Sequence, residues 1–340
     1  LPEDVETIQG ENILSEDFNM GAFSVVLLED MNTKDIIKLE EKFREIDNVE
    51  KVVSIADVLG TSIPEEMIPD DIKEKIYKDN ETIMLVTFKD QISADTTMQT
   101  VETLREITDE HCKISGMTAT VLDTRDLSDS EIAIYVVIAV ILCLIILELA
   151  LDSYVAPFLL LLNIGIAILY NMGSNIFLGE ISYITKAISA VLQLGVTMDF
   201  AIFLYHSYMQ EKETIQDNEE AMANAIGKTL LSVVGSSLTT IAGFLALCSM
   251  DLTLGKDIGI VMAKGVFLGV ICVVTILPAM ILELNNLIEK TKHKEIFPKF
   301  TGVKNFVIKH YKIISIAFII ILPIAFYGYK KTDIYYNLDK

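Results

Sequence analysis

The sequence predicts a polytopic α-helical membrane bundle preceded by an extracytoplasmic α+β domain. Three observations carry this. Apolar residues make up 51% of the chain, and they are gathered into long runs instead of recurring at the period of a soluble core. Negative charge is concentrated at one end: residues 1–130 hold 31 Asp and Glu against 12 Lys and Arg, −19 of the chain's −21, leaving −2 for residues 131–340. Within residues 22–115, strand and helix signals alternate.

The acidic domain comes first. Ala22–Glu29 is apolar and β-branched, the signature of a strand. Thr33 is placed to cap a helix through Ile46, with Ile36, Ile37, Leu39, Phe43 and Ile46 near one face. Val49–Ile55 reads as a strand, and Pro64–Tyr77 as a short helical excursion opened by proline. Glu81–Lys89 is a strand, Ala94–Glu110 a helix with apolar residues at Met98, Val101, Leu104 and Ile107, and His111–Ser115 a last strand. The order β-α-β, insertion, β-α-β fits a ferredoxin-like fold. His111 is a lone histidine there and reads as structural. The many carboxylates solvate the surface, and they exclude nucleic acid as a partner because phosphates are repelled.

A helix crossing ~30 Å of hydrocarbon needs about 20 apolar residues. Six runs approach or meet this: Ile132–Leu151, Tyr154–Met172, Ala187–Tyr208, Leu230–Ser249, Ile258–Leu284 and Ile313–Tyr329. Ser128 and Glu131 have capping-box spacing ahead of the first. Only Asp152 and Ser153 separate it from the second, which demands a tight hairpin. Tyr154, Tyr170, Tyr183, Tyr208, Tyr311, Tyr327 and Tyr329 fall at run ends, where amphipathic rings prefer the interface. Seven lysines (290, 292, 294, 299, 304, 309 and 312) crowd residues 285–312 against Glu289 and Glu295. The positive-inside rule puts that loop in the cytoplasm. Counting back through five crossings puts residues 1–130 outside the cytoplasmic membrane.

Polar residues at membrane depth carry the functional expectations. Asp199 lies mid-way along the third run. A carboxylate there costs roughly 2.5–3.5 kcal/mol on insertion scales, and desolvation favours its protonated form, so proton exchange near neutral pH is expected. The alternative is a structural carboxylate bonded to hydroxyls of the next helix. That helix offers Ser236, Ser237, Thr239 and Thr240, as proton-relay partners or as packing groups. Gly195, one turn before Asp199, and Gly243 are expected to admit a neighbouring helix closely. Lys264, six residues into the fifth run, is expected to snorkel to the outer surface. Pro278 is expected to kink the fifth run, and Asn163 to bond across helices. Glu148 and Glu283 sit near cytoplasmic ends, where a charge is cheap. The four cysteines show no metal or CxxC spacing, and Cys112 stands alone in the polar domain, so no disulfide closes within it. No metal, cofactor or catalytic constellation is expected. The chain opens at Leu1 without a signal-peptide pattern, so the native N-terminus is expected to lie outside this numbering.

Together these residues resemble a known family. The stretch 195–200 (GVTMDF) is similar to the GxxxD signature on the fourth transmembrane helix of resistance–nodulation–division exporters, especially the branch of the mycobacterial large membrane proteins. The stretches 156–165 (APFLLLLNIG), 237–243 (SLTTIAG) and 277–279 (LPA) resemble the same branch in order and spacing. The resemblance implies a porter domain at 1–130, helices two to six of the family scheme at 131–284, a cytoplasmic basic loop at 285–312, and helix seven leading into a second outer domain at 313–340. It implies a secondary active transporter and not an enzyme: proton-motive-force-driven export of amphiphilic, lipidic or drug-like molecules, with Asp199, Ser236, Ser237 and Thr240 as the relay. Its expected partners are membrane lipids, the amphiphilic substrate and a second half of the same polypeptide, with an oligomer left open. Phe200 departs from the branch, where a tyrosine often follows the acid. Two alternatives remain: a protein-export accessory of the SecDF type, and a non-transporting membrane protein like the sterol-sensing relatives.

Overall fold

A computed structural model describes residues 5–18, 21–54, 57, 81–92, 94–179, 181–293 and 301–332. The expected helical excursion at Pro64–Tyr77, Lys294, Lys299 and the residues after 332 lie outside them.

Helix α1 (Glu6–Phe18) precedes strand β1 (Ala22–Glu29), helix α2 (Thr33–Arg44), strands β2 (Val49–Val53) and β3 (Glu81–Phe88), helix α3 (Asp95–Ile107) and strand β4 (Cys112–Ser115). The four strands form one antiparallel sheet of order β2-β3-β1-β4, with Val26 opposite Met84 and Ile114. Strand alternation turns Val26, Leu28, Met84, Val86 and Phe88 onto one face. There they meet Ile36 and Phe43 of α2 and Met98, Val101 and Leu104 of α3 in a single buried cluster. Burial of such side chains contributes roughly 1.5–3 kcal/mol each. Asn32, not Thr33, caps α2: its side chain accepts from the Asp35 amide at 3.0 Å. Helix α1 had no sequence expectation, and none of its residues is buried.

The first membrane run is part of a longer element. Helix α4 spans Met117–Ala150 without a break, with Gly116 as N-cap at φ 108°. The expected capping box at Ser128 and Glu131 is therefore no helix start. Residues 117–129 are already helical because they bind the domain. Thr118, Ala119 and Leu122 are buried in its core, Arg105 grips Asp123 at 2.5 and 3.0 Å, and Arg125 meets Asp95 at 3.3 Å. One rigid rod thus links the acidic domain to the bundle.

The bundle continues with α5 (Ala156–Gly173), a 3-10 turn (Ser174–Phe177), α6 (Tyr183–Lys212), α7 (Asn218–Leu247), α8 (Thr253–Glu283), the short α9 (Asn285–Lys290) and α10 (Thr301–Lys331). Among the described residues, six helices are long and apolar enough to cross a membrane. Helix α8 is central, packing on α5, α6 and α7, and it runs through Pro278 as one helix. In contrast, no described residue of α10 is buried. Helix replaces loop at both ends of the expected basic segment 285–312, through α9 and through α10, which bends at His310.

One end of the bundle is clasped by polar contacts. The Asp152 carbonyl accepts from the His293 amide at 2.8 Å, and the Thr291 carbonyl from the Tyr154 amide at 3.3 Å. Ser153 bonds Thr291 at 2.9 Å, and the Tyr154 and His293 rings lie 4.4 Å apart. The Tyr205 hydroxyl donates to Asp152 at 2.9 Å and that of Tyr208 to Asn285 at 3.0 Å. Tyr208 is fully buried, so it is a latch and not the interfacial ring its run-end position suggested.

Candidate functional site between the third and fourth spans

Helices α6 and α7 enclose a cavity of about 390 Å³ lined by Gly195, Asp199, Phe203, Ser232, Ser236 and Thr240. Helical geometry explains the grouping. Gly195, Asp199 and Phe203 recur every four residues on one face of α6, as do Ser232, Ser236 and Thr240 on α7. Asp199 and Ser236 are exposed on this face, and Thr240 is half-buried. The cavity therefore opens on a side that no helix among the described residues covers.

The remaining hydroxyls behave differently. Ser237 follows Ser236 by one residue, ~100° around the helix, and points into the packed side. It is buried and donates to the Val234 carbonyl at 2.9 Å. Thr240 donates to the Ser236 carbonyl at 3.1 Å, and Thr239 to that of Gly235 at 3.1 Å. These are back-bonds to the helix's own carbonyls, which a side-chain rotation exchanges for another acceptor. Among the described residues, no hydrogen bond joins Asp199 to these hydroxyls. Phe200 is buried and also lines the cavity.

The expected packing glycines are not those used within this chain. A Cβ on Gly195 or Gly243 would meet nothing within 4 Å. Close approach occurs on α8 instead. A Cβ on Gly259 would lie 2.6 Å from the Phe244 carbonyl oxygen, one on Gly265 2.5 Å from Asn171 Nδ2, and one on Gly269 2.5 Å from Thr197 Cγ2. The sequence does carry a signal for them: Gly255 and Gly259, then Gly265 and Gly269, are two GxxxG pairs. Lys264 reaches toward the C-terminal end of α5, the end opposite the basic segment. Its Nζ donates to the Asn171 carbonyl at 3.0 Å and to Asn175 Oδ1, because the end of α5 and the 3-10 turn present acceptors beside it. Asn163 is fully buried and makes no interhelical bond.

Comparison with known proteins decides the family, since a model of the MMPL family matches residues 17–299, which cover the acidic sheet domain and spans α4 to α8. The chain belongs to the MMPL family. It is similar to membrane protein MJ1562 of Methanocaldococcus jannaschii, 24% identical over 73% of this chain and 70% of that protein. It also resembles membrane protein ActII-3 of Streptomyces coelicolor, 32% identical over 41% of this chain and 20% of that protein. A third relative is the siderophore exporter MmpL5 of Mycobacterium tuberculosis, 25% identical over 49% of this chain and 18% of MmpL5. The MMPL chain thus spans most of the archaeal relative but about a fifth of the two longer ones. With six apolar helices and membrane-protein relatives, it is a multi-pass membrane protein.

Proposed function

We propose that this MMPL chain is one repeat of a transporter that exports amphiphilic, lipidic or drug-like molecules across the cytoplasmic membrane, driven by the proton motive force through Asp199. The observation that carries the reading is the cavity that gathers Asp199, Ser236 and Thr240 from two helices on an uncovered face. A carboxylate held at membrane depth beside hydroxyls and a cavity with room for water has what proton exchange needs. One inward proton at ~100 mV supplies about 2.3 kcal/mol, enough for a gradient of roughly fifty-fold. The relationship to a siderophore exporter supports transport. A second repeat packed on the open face of α6 and α7 completes the site, as in transporters that place coupling residues between repeats.

In this reading residues 1–130 form an extracytoplasmic porter domain, and the sheet order β2-β3-β1-β4 supports its ferredoxin-like form. Residues 285–312 face the cytoplasm. Asp199→Asn in the full-length protein is the test. It is nearly isosteric and removes a costly charge, so insertion and folding persist, while proton-coupled export in vesicles falls to background. Export at the wild-type rate with unchanged pH dependence overturns the relay. Ser236→Ala and Thr240→Ala have smaller effects, because water or a neighbouring hydroxyl replaces one donor.

A further inference from the structure

A polar track runs through the packed interior of the bundle, on the side of α6 away from Asp199. It begins at the end of α5, where Lys264 meets the Asn171 carbonyl and Asn175. Asn171 Nδ2 donates to Gln193 Oε1 at 2.9 Å, and Gln193 Nε2 donates to the Gly265 carbonyl at 3.1 Å. One turn further, the Thr197 hydroxyl donates to the Gln193 carbonyl at 2.7 Å. Asn171, Gln193 and Asn163 are all completely buried. Yet the Asn171 Oδ1 atom and both polar atoms of Asn163 have no hydrogen-bond partner.

These orphaned amides lie in one stripe of α5. Asn163 precedes Asn171 by eight residues, two turns or about 12 Å. Helices α5 and α6 are antiparallel neighbours, and Asn171 pairs with Gln193, so Asn163 lies level with about Ala201, at nearly the depth of Asp199. Asp199 itself follows Thr197 by two residues, about 200° around α6, and so faces the opposite way.

Both amides are enclosed by this chain's own helices, so a second repeat or partner protein cannot reach their free atoms. Only a group small enough to sit inside the bundle can. Asn163 lacks both a donor's partner and an acceptor's partner. A cation satisfies only the oxygen, an anion only the nitrogen, and water satisfies both. In hydrocarbon surroundings an unmet amide is costly, and bound water is the usual remedy when two or more polar groups converge. We propose that Asn163 and Asn171 hold ordered water inside the bundle, a second hydrated site that wets the core at the depth of Asp199 but is separated from it by helix α6. This site stands independently of the proton-relay reading.

The test uses the full-length protein in nanodiscs. A high-resolution density map is expected to show solvent peaks within hydrogen-bonding distance of the Asn163 amide and of Asn171 Oδ1. Closed side-chain packing with no solvent peak at either amide overturns the proposal. Asn163→Leu keeps nearly the same shape and removes both polar atoms. It is expected to lower the melting temperature by a few degrees, since the water loses its ligand. An unchanged or raised melting temperature marks Asn163 as unliganded and also overturns the proposal. If the Leu variant fails to insert, the wild-type map decides alone.

Discussion

Asp199 is an ionisable residue mid-way along a span, and its setting is a matter of one helical turn. Gly195 and Phe203 flank it on the same face, and Ser236 and Thr240 meet it across the cavity, while Ser237, one residue away, is buried elsewhere. The glycines are separable in the same way. Gly269→Ala places a methyl 2.5 Å from Thr197 Cγ2, on a β-branched side chain locked in the core, and is expected to cost about 1–3 kcal/mol. Gly195→Ala meets open space in this chain and is expected to leave its thermal stability unchanged. Thermal unfolding of the two variants in detergent, followed by size-exclusion of the fluorescently tagged protein, measures the difference. Equal melting temperatures would show that α8 does not need its glycines. Tyr205→Phe, which strands Asp152 without its 2.9 Å donor, is expected to cost about 1–3 kcal/mol in the same assay.

At the scale of elements, α4 matters most. Its first third is fastened to the acidic domain by Leu122 and the Asp123 ion pair, its junction to α6 by the Asp129–Lys186 pair at 2.9 Å, and its remainder crosses the membrane. A continuous helix transmits displacement from bundle to domain without a hinge. Ser130→Pro removes a backbone donor and crowds the preceding turn, a change that breaks or kinks a helix at a cost of ~3 kcal/mol or more. The expected outcome is a protein that still inserts, with both parts folded, but whose transport falls severalfold. Spin-label distances between residues 102 and 192 are expected to broaden. Broadened distances together with wild-type transport would show that α4 need not be rigid. The strands and helices of the acidic domain were legible because their periods are local. The start of α4 was not, because Thr118, Ala119 and Leu122 become helix-forming contacts only when the sheet core is present to receive them.

For the molecule as a whole, the uncovered faces are the organising fact. The face holding Asp199 and all described residues of α10 lie open, as expected if a second repeat packs there. Membrane sidedness is testable directly: cysteines introduced at Asp90 and Lys292 are expected to be labelled from the outer and the cytoplasmic side, respectively. Labelling of both from one side would overturn the orientation drawn from the lysines. By itself the sequence determined the number of spans, the acidic domain ahead of them, the order of its strands β1 to β4 and of the helices α2 and α3 among them, and Asp199 as the residue to examine. Those features are written in run length, net charge and local period, each set by the thickness of hydrocarbon or the geometry of one element. Only the tertiary structure decided which way each side chain points around its helix. A span that is apolar on every side carries no marked face, so nothing local reveals that Ser237 turns inward, that Lys264 finds its acceptors at the end of α5, or that Asn163 is sealed in without a partner.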